Sequence, residues 1–152
     1  SNVDDPASLR ALLDVLGKIS SRVAVVFPVH PRTRQRIHDL GMDLPSSDRL
    51  LLLEPKPYID FLALQRRAAA VLTDSGGIQE ETTYLGVPCI TVRENTERPI
   101  TVTCGTNVLV GHDLERLRTE LGKILDGQRK PHGIPPLWDG KASERIADIV
   151  TR

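Results

Sequence analysis

A serine and two glycines, Ser75-Gly76-Gly77, stand between an apolar run, Ala68 to Leu72, and a segment with helical spacing, Ile78, Thr82 and Leu85, that stops at Gly86. A strand that turns tightly into a helix leaves the first helical N–H groups without intrahelical partners. They point at one spot, with the positive end of the helix dipole behind them. Such a spot attracts anions, and glycine lets a phosphate approach the backbone closely. Ser75 with the amides of Gly76 and Gly77 could therefore hold a diphosphate, through charge-assisted bonds worth roughly 1.5–3 kcal/mol each. The plainer alternative is an ordinary strand-to-helix turn capped by Asp74 or Ser75.

Other residues could serve the same chemistry. Glu81 falls about one and a half turns into that helix, within reach of a ribose bound at its start, where a carboxylate can accept from two vicinal hydroxyls. Glu80 reads as part of a solvated helix face. Arg98, in Thr96-Glu97-Arg98-Pro99, offers a planar fork to a phosphate or to an internal carboxylate; the alternative is a loop arginine held by Glu97. His30 ends an apolar run and could donate to a phosphate or act as an acid, although a strand-end histidine satisfied by its own neighbourhood is the commoner outcome. Phe61 could be core or a platform for a base. No cluster has metal-ligand spacing, and no Ser/His/Asp set assembles.

These residues need a scaffold, and the apolar pattern supplies one. Asp5-Pro6 reads as an N-cap and first helical position, followed by the face Leu9, Leu12, Leu13 and Leu16 up to Gly17. Val23 to Val29 reads as a strand buried on both faces. A mostly exposed helix, Arg32 to Leu40, is closed by Gly41. Leu50 to Leu53 is a second buried strand, and Pro57 opens a helix carrying Phe61. After the strand–turn–helix at residues 68–85 come strands at Val87 to Val92 and Thr106 to Val110. Asp113 caps a further helix, and Lys141 to Thr151 forms the last one, with Ile146 and Ile149 inward. Five short strands separated by helices predict an α/β fold with a parallel sheet, in one domain over residues 1–152. In such sheets ligands bind beyond the carboxyl ends of the strands. There stand His30 after the first strand, Lys56 after the second, Asp74 to Gly77 after the third, and Arg93 to Arg98 after the fourth.

Composition narrows the partners. The chain has 20 basic and 20 acidic residues in 152 and a formal charge of zero, which argues against a nucleic-acid or membrane-surface partner. An anion site must then be local. Cys89 and Cys104 are the two cysteines, expected as buried free thiols in a reducing compartment. No apolar segment approaches the length of a membrane span, and no leader pattern opens the chain. A soluble, cytoplasmic protein is expected.

The blocks Asp74-Ser75-Gly76-Gly77-Ile78-Gln79-Glu80-Glu81, Leu85-Gly86-Val87-Pro88 and Arg93-Glu94-Asn95-Thr96-Glu97-Arg98-Pro99 occur together with Gly105 and Leu109-Val110-Gly111. With Phe27-Pro28-Val29-His30-Pro31 upstream and Asp139 to Ile146 downstream, they closely resemble the non-hydrolysing UDP-N-acetylglucosamine 2-epimerases, over nearly the whole chain and in the family's order. The resemblance implies the C-terminal, nucleotide-binding half of a glycosyltransferase-B-type fold, a Rossmann-like parallel sheet with helices on both faces. It implies that Ser75, Gly76 and Gly77 bind the diphosphate and Glu81 the ribose. Phe61 and the backbone near Lys56 would take the uracil, with His30 and Arg98 lining the site. The family interconverts UDP-GlcNAc and UDP-ManNAc by eliminating UDP and adding it back, without metal or nicotinamide. Its acid and base are carboxylates of an N-terminal half, which would be this chain's partner, in a parent expected to be a homodimer that serves cell-envelope polysaccharide synthesis.

Some residues depart from the family's pattern. Ile100 follows Arg98-Pro99, Pro135-Pro136-Leu137-Trp138 replaces a more polar run, and Lys56 stands where glutamine or an aliphatic residue is common; these leave the sugar nucleotide open. Ser1 to Asp4 resemble the tail of a segment that follows the half's first strand; the alternative is that Ser1-Asn2 are residues left from cloning. On the first alignment that central strand is missing, leaving two sheet edges unpaired. A UDP-sugar glycosyltransferase half and a non-enzymatic binding module are the alternative readings.

Overall fold

The computed structural model describes residues 5–43 and 47–151. The comparison of Ser1 to Asp4 with the family's segment lies outside the described residues. The chain divides into two compact units, Ser1–Phe61 and Leu62–Arg152.

In the first unit, α1 (Pro6–Ser20) begins where Asp5 accepts from the Ser8 N–H at 2.8 Å, with Pro6 in the first turn. The Ser8 hydroxyl and N–H hold the Asp5 carboxyl below its usual pKa. Gly17 does not end this helix, which continues a further turn and buries Ile19 and Ser20. Parallel strands β1 (Val25–Pro28) and β2 (Leu50–Leu53) pair from Val25↔Leu50 to Pro28↔Leu53. The first was expected to be buried on both faces and the second to be buried, yet Val26 is 41% and Leu51 47% exposed. Alternation along a pleated strand put these two side chains on the uncovered face. Between them runs α2 (Pro31–Asp39), mostly exposed, with Thr33 and Ile37 buried. Leu9, Leu13, Ile37 and Met42 form the apolar cluster of this unit.

Helix α3 (Tyr58–Arg67) carries the chain from one unit into the next. In the second unit β3 (Val71–Thr73), β4 (Cys89–Thr91) and β5 (Asn107–Leu109) form a parallel sheet in that order. The central strand β4 is buried throughout, as its position between two partners requires. Helix α4 (Gly76–Leu85) links β3 to β4; α5 (Pro99–Thr103) and α6 (Leu114–Leu125) follow β4 and β5. Leu117 and Leu121 of α6 are buried, and Asp113 caps it by accepting from Arg116 N–H at 2.9 Å. Cys89 is a buried free thiol, pushed up in pKa by burial; Cys104 is also free but partly exposed, with Sγ 3.6 Å from the Gly133 carbonyl.

Helix α7 (Ala142–Val150) corrects an expectation: Ile146 and Ile149 do not point inward but are 60% and 73% exposed. Its attachment is polar. Arg145 donates to both oxygens of Asp139 at 3.0 Å and to the Leu137 carbonyl at 2.9 Å.

The alternation of strand and helix with parallel pairing is the predicted α/β Rossmann-like class, but the five strands form a pair and a triplet rather than one sheet. Among the described residues β1 and β3 each have a single strand partner.

Candidate anion site at the start of helix α4

Thr73 ends β3, and its Oγ1 accepts from the Ser75 N–H at 3.0 Å, turning the chain out of the sheet. Ser75 is the N-cap residue, in extended conformation at φ −90° and ψ 130°, yet its side chain makes no capping bond. The capping alternative is thus not taken up by Ser75. Its hydroxyl and the first N–H groups of α4 keep the donor capacity that an anion uses. A side chain at Gly77 would meet nothing nearer than Ser75 Oγ, at 4.0 Å. The turn is open on that side.

The loop after β4 returns to this point. Arg98 Cγ and Nε and Glu97 Oε2 lie 3.8–4.0 Å from where a Cβ on Gly76 would sit. Arg98 is not held by the Glu97 carboxylate; it pairs through Nε with Glu80 Oε1 at 2.8 Å. The Glu97 carboxylate instead faces Arg93 at 3.4 Å. This corrects the reading of Glu80 as merely solvated: residues 80 and 76 lie one turn apart, so the same helix face presents the carboxylate and the amides. Both partners of the pair remain about two-fifths exposed. An ion pair in that setting is worth under about 1 kcal/mol, so a phosphate can draw the guanidinium away at small cost.

Glu81 is half-buried, and its Oε2 accepts from Gln65 Nε2 of α3 at 2.6 Å. Gln65 is itself buried, an anchor that no motif signalled. It leaves Glu81 a carboxylate of fixed direction with a second oxygen to offer.

The remaining candidates belong to the first unit. His30 is exposed and caps α2, its Nδ1 accepting from the Arg32 N–H at 3.2 Å. That bond leaves the Nε2 side of the ring to donate. Lys56 is exposed in the loop between β2 and α3, and Phe61 is half-buried on α3. The structure therefore brings Ser75, Gly76, Gly77, Glu80, Glu81 and Arg98 together within one unit, and places His30, Lys56 and Phe61 in the other. Among the described residues no three His, Cys, Asp or Glu side chains converge as a metal would need, and no helix is long and apolar enough to cross a membrane.

Comparison with known proteins shows the family. The family model for UDP-N-acetylglucosamine 2-epimerase matches residues 1–151. The chain is 40% identical to UDP-N-acetylglucosamine 2-epimerase of Methanocaldococcus jannaschii, covering 99% of this chain and 42% of that protein. It is 41% identical to UDP-2,3-diacetamido-2,3-dideoxy-D-glucuronate 2-epimerase of Pseudomonas aeruginosa, again over 99% of this chain and 42% of the other. The Methanocaldococcus jannaschii enzyme solved in complex with UDP-GlcNAc and UDP superposes with a TM-score of 0.80 at 39% identity, with the same coverage of 99% and 42%. The chain thus spans about two-fifths of the length of these relatives. On the family match, the identities and the fold together, this chain belongs to the UDP-N-acetylglucosamine 2-epimerase family.

Proposed function

We propose that this chain is the UDP-binding half of a cytoplasmic 2-epimerase that interconverts UDP-GlcNAc and UDP-ManNAc. One observation carries the reading: the start of α4 is left uncapped by Ser75 and is flanked by Arg98, a cation held by an exposed pair with Glu80 and by the Glu97 carbonyl. The diphosphate sits against Ser75 and the amides of Gly76 and Gly77, Glu81 accepts from the ribose hydroxyls, and Arg98 exchanges Glu80 for a phosphate oxygen. The family's motifs assign the uracil to Phe61 and to the backbone near Lys56, and give His30 a role in binding the same ligand. Elimination places negative charge on the departing UDP, and donors fixed in advance stabilise that charge without reorganising. The C2 proton is handled by carboxylates of a separate N-terminal half, in a homodimeric parent.

Nearly equal identity to relatives named for two different UDP-sugars bears on the substrate. The nucleotide is common to both names, and this half is the part that reads it; the other half then chooses the sugar. The full-length protein, supplied separately with each UDP-sugar in deuterium oxide, tests this. Deuterium at C2 of epimerised UDP-GlcNAc is the expected result. Turnover of the diacetamido glucuronate alone would reassign the sugar. Transfer of a sugar to an acceptor without exchange at C2 would replace the epimerase by a glycosyltransferase.

A further inference from the structure

Five polar side chains meet beneath the anion site, and four of them, Gln79, Thr91, Thr101 and Asn107, are fully buried. Burying an amide is costly unless its bonds are remade inside. Asn107 of β5 remakes all of them. Its Oδ1 accepts from Thr91 Oγ1 at 2.7 Å, and its Nδ2 donates to Gln79 Oε1 at 3.0 Å and Thr101 Oγ1 at 3.2 Å. Gln79 of α4 accepts at the same oxygen from Thr96 Oγ1 at 2.7 Å, while its Nε2 has no protein partner. A fold seeking stability alone would fill this space with apolar groups, so the network's outputs matter more than its interior.

Those outputs converge on one residue. Thr96 Oγ1 accepts from the Arg98 N–H at 3.0 Å, and Thr101 Oγ1 donates to the Arg98 carbonyl at 2.7 Å. The two hydroxyls that grip Arg98 on either side of its Cα are the two that the buried amides hold. Arg98's backbone is thereby tied to α4 through Gln79 and to β5 through Asn107. The guanidinium arrives beside Gly76 with its backbone entropy already lost, so binding an anion need not order the loop.

We propose that Gln79 and Asn107 are positioning residues, which set Arg98 against the diphosphate through Thr96 and Thr101. This rests on the nucleotide reading above. The test compares Thr96→Val, Thr96→Ser and Arg98→Ala on the whole polypeptide, with UDP titrated by calorimetry and uridine by ligand-observed NMR. Arg98→Ala is expected to weaken UDP at least tenfold and leave uridine unchanged. Thr96→Val, which keeps the shape and removes the hydroxyl, should weaken UDP about tenfold, also without effect on uridine. Thr96→Ser should restore affinity to within about threefold. In an Arg98→Ala background Thr96→Val should add nothing, because both act through one group. Thr101→Val, at the other end of the grip, is the second variant should the first fail to fold, and should give the same pattern.

Equal loss of UDP and uridine binding in Thr96→Val, or full additivity with Arg98→Ala, would reduce the network to a structural role and overturn the proposal. So would unchanged UDP affinity in Thr96→Val where Arg98→Ala loses it. Absence of UDP binding by the unsubstituted protein is a different failure, which removes the nucleotide reading itself and this inference with it.

Discussion

Arg98 and Glu80 pair beside the start of α4, so a phosphate bound there as proposed would have to take the guanidinium from a carboxylate that also repels it. Replacing that carboxylate while keeping its shape removes both obstacles. Glu80→Gln is therefore expected to tighten UDP binding about two- to fivefold, the worth of one exposed ion pair. Calorimetric titration measures it, and a loss of affinity would mean that Glu80 steers Arg98 rather than sequestering it. A second residue-scale prediction concerns Asp139, whose two oxygens are taken by Arg145 and which also accepts from the Lys141 N–H at 3.0 Å. The Arg145 guanidinium first, and then the Lys141 N–H, hold its carboxyl down from 3.8 to about 2. Because the folded value lies below the ordinary one, the tie of α7 to the loop before it is complete above about pH 4 and fades as pH falls towards 2. Carboxyl carbon NMR should show Asp139 titrating near 2, and Arg145→Ala should return it to the ordinary range. An Asp139 that titrates near 4 in the unsubstituted protein would mean the pair does not persist in solution.

At the scale of elements, α4 is the one that matters most, and its two ends were readable for different reasons. Its beginning showed in the sequence because two glycines after a polar turn have few other uses there. Its end showed because Gly86 is the residue that tolerates the left-handed conformation closing a helix. Gly86 has φ +69°, and its N–H bonds to the carbonyls of Thr82 and Thr83. A Cβ there would also come within 3.2 Å of His132 Nε2. Gly86→Ala should cost about 1–2 kcal/mol, read as a lower midpoint in urea with an unchanged slope. An unaffected midpoint would mean that residue 86 does not keep the left-handed conformation in solution. The face of α7 was misread because Ile146 and Ile149 keep the spacing of a buried stripe. Periodicity predicts that a face is apolar, not that something in the unit covers it. Val26 and Leu51 on β1 and β2 teach the same lesson for strands.

For the molecule as a whole, a ligand that binds only the folded chain adds stability by mass action. At UDP ten times its dissociation constant the gain is about 1.4 kcal/mol, or about 3–6 °C in melting temperature for a chain of this size. Scanning calorimetry with UDP against equal inorganic diphosphate would show it, and no greater shift with UDP would deny the uridine part of the site. Residue order alone determined the α/β class, the place of the glycine turn into α4, the caps of α1 and α6, and the family, because these depend on local backbone preference and on motifs contiguous in the chain. Tertiary structure alone decided that Glu80, and not Glu97, holds Arg98, that Gln65 aims Glu81, and that Gln79 and Asn107 join beneath the loop. It also decided that the strands pair as two and three. Partners in these cases stand 16 to 28 residues apart, or compete for one cation at equal chemical merit, and only folding distance selects among them.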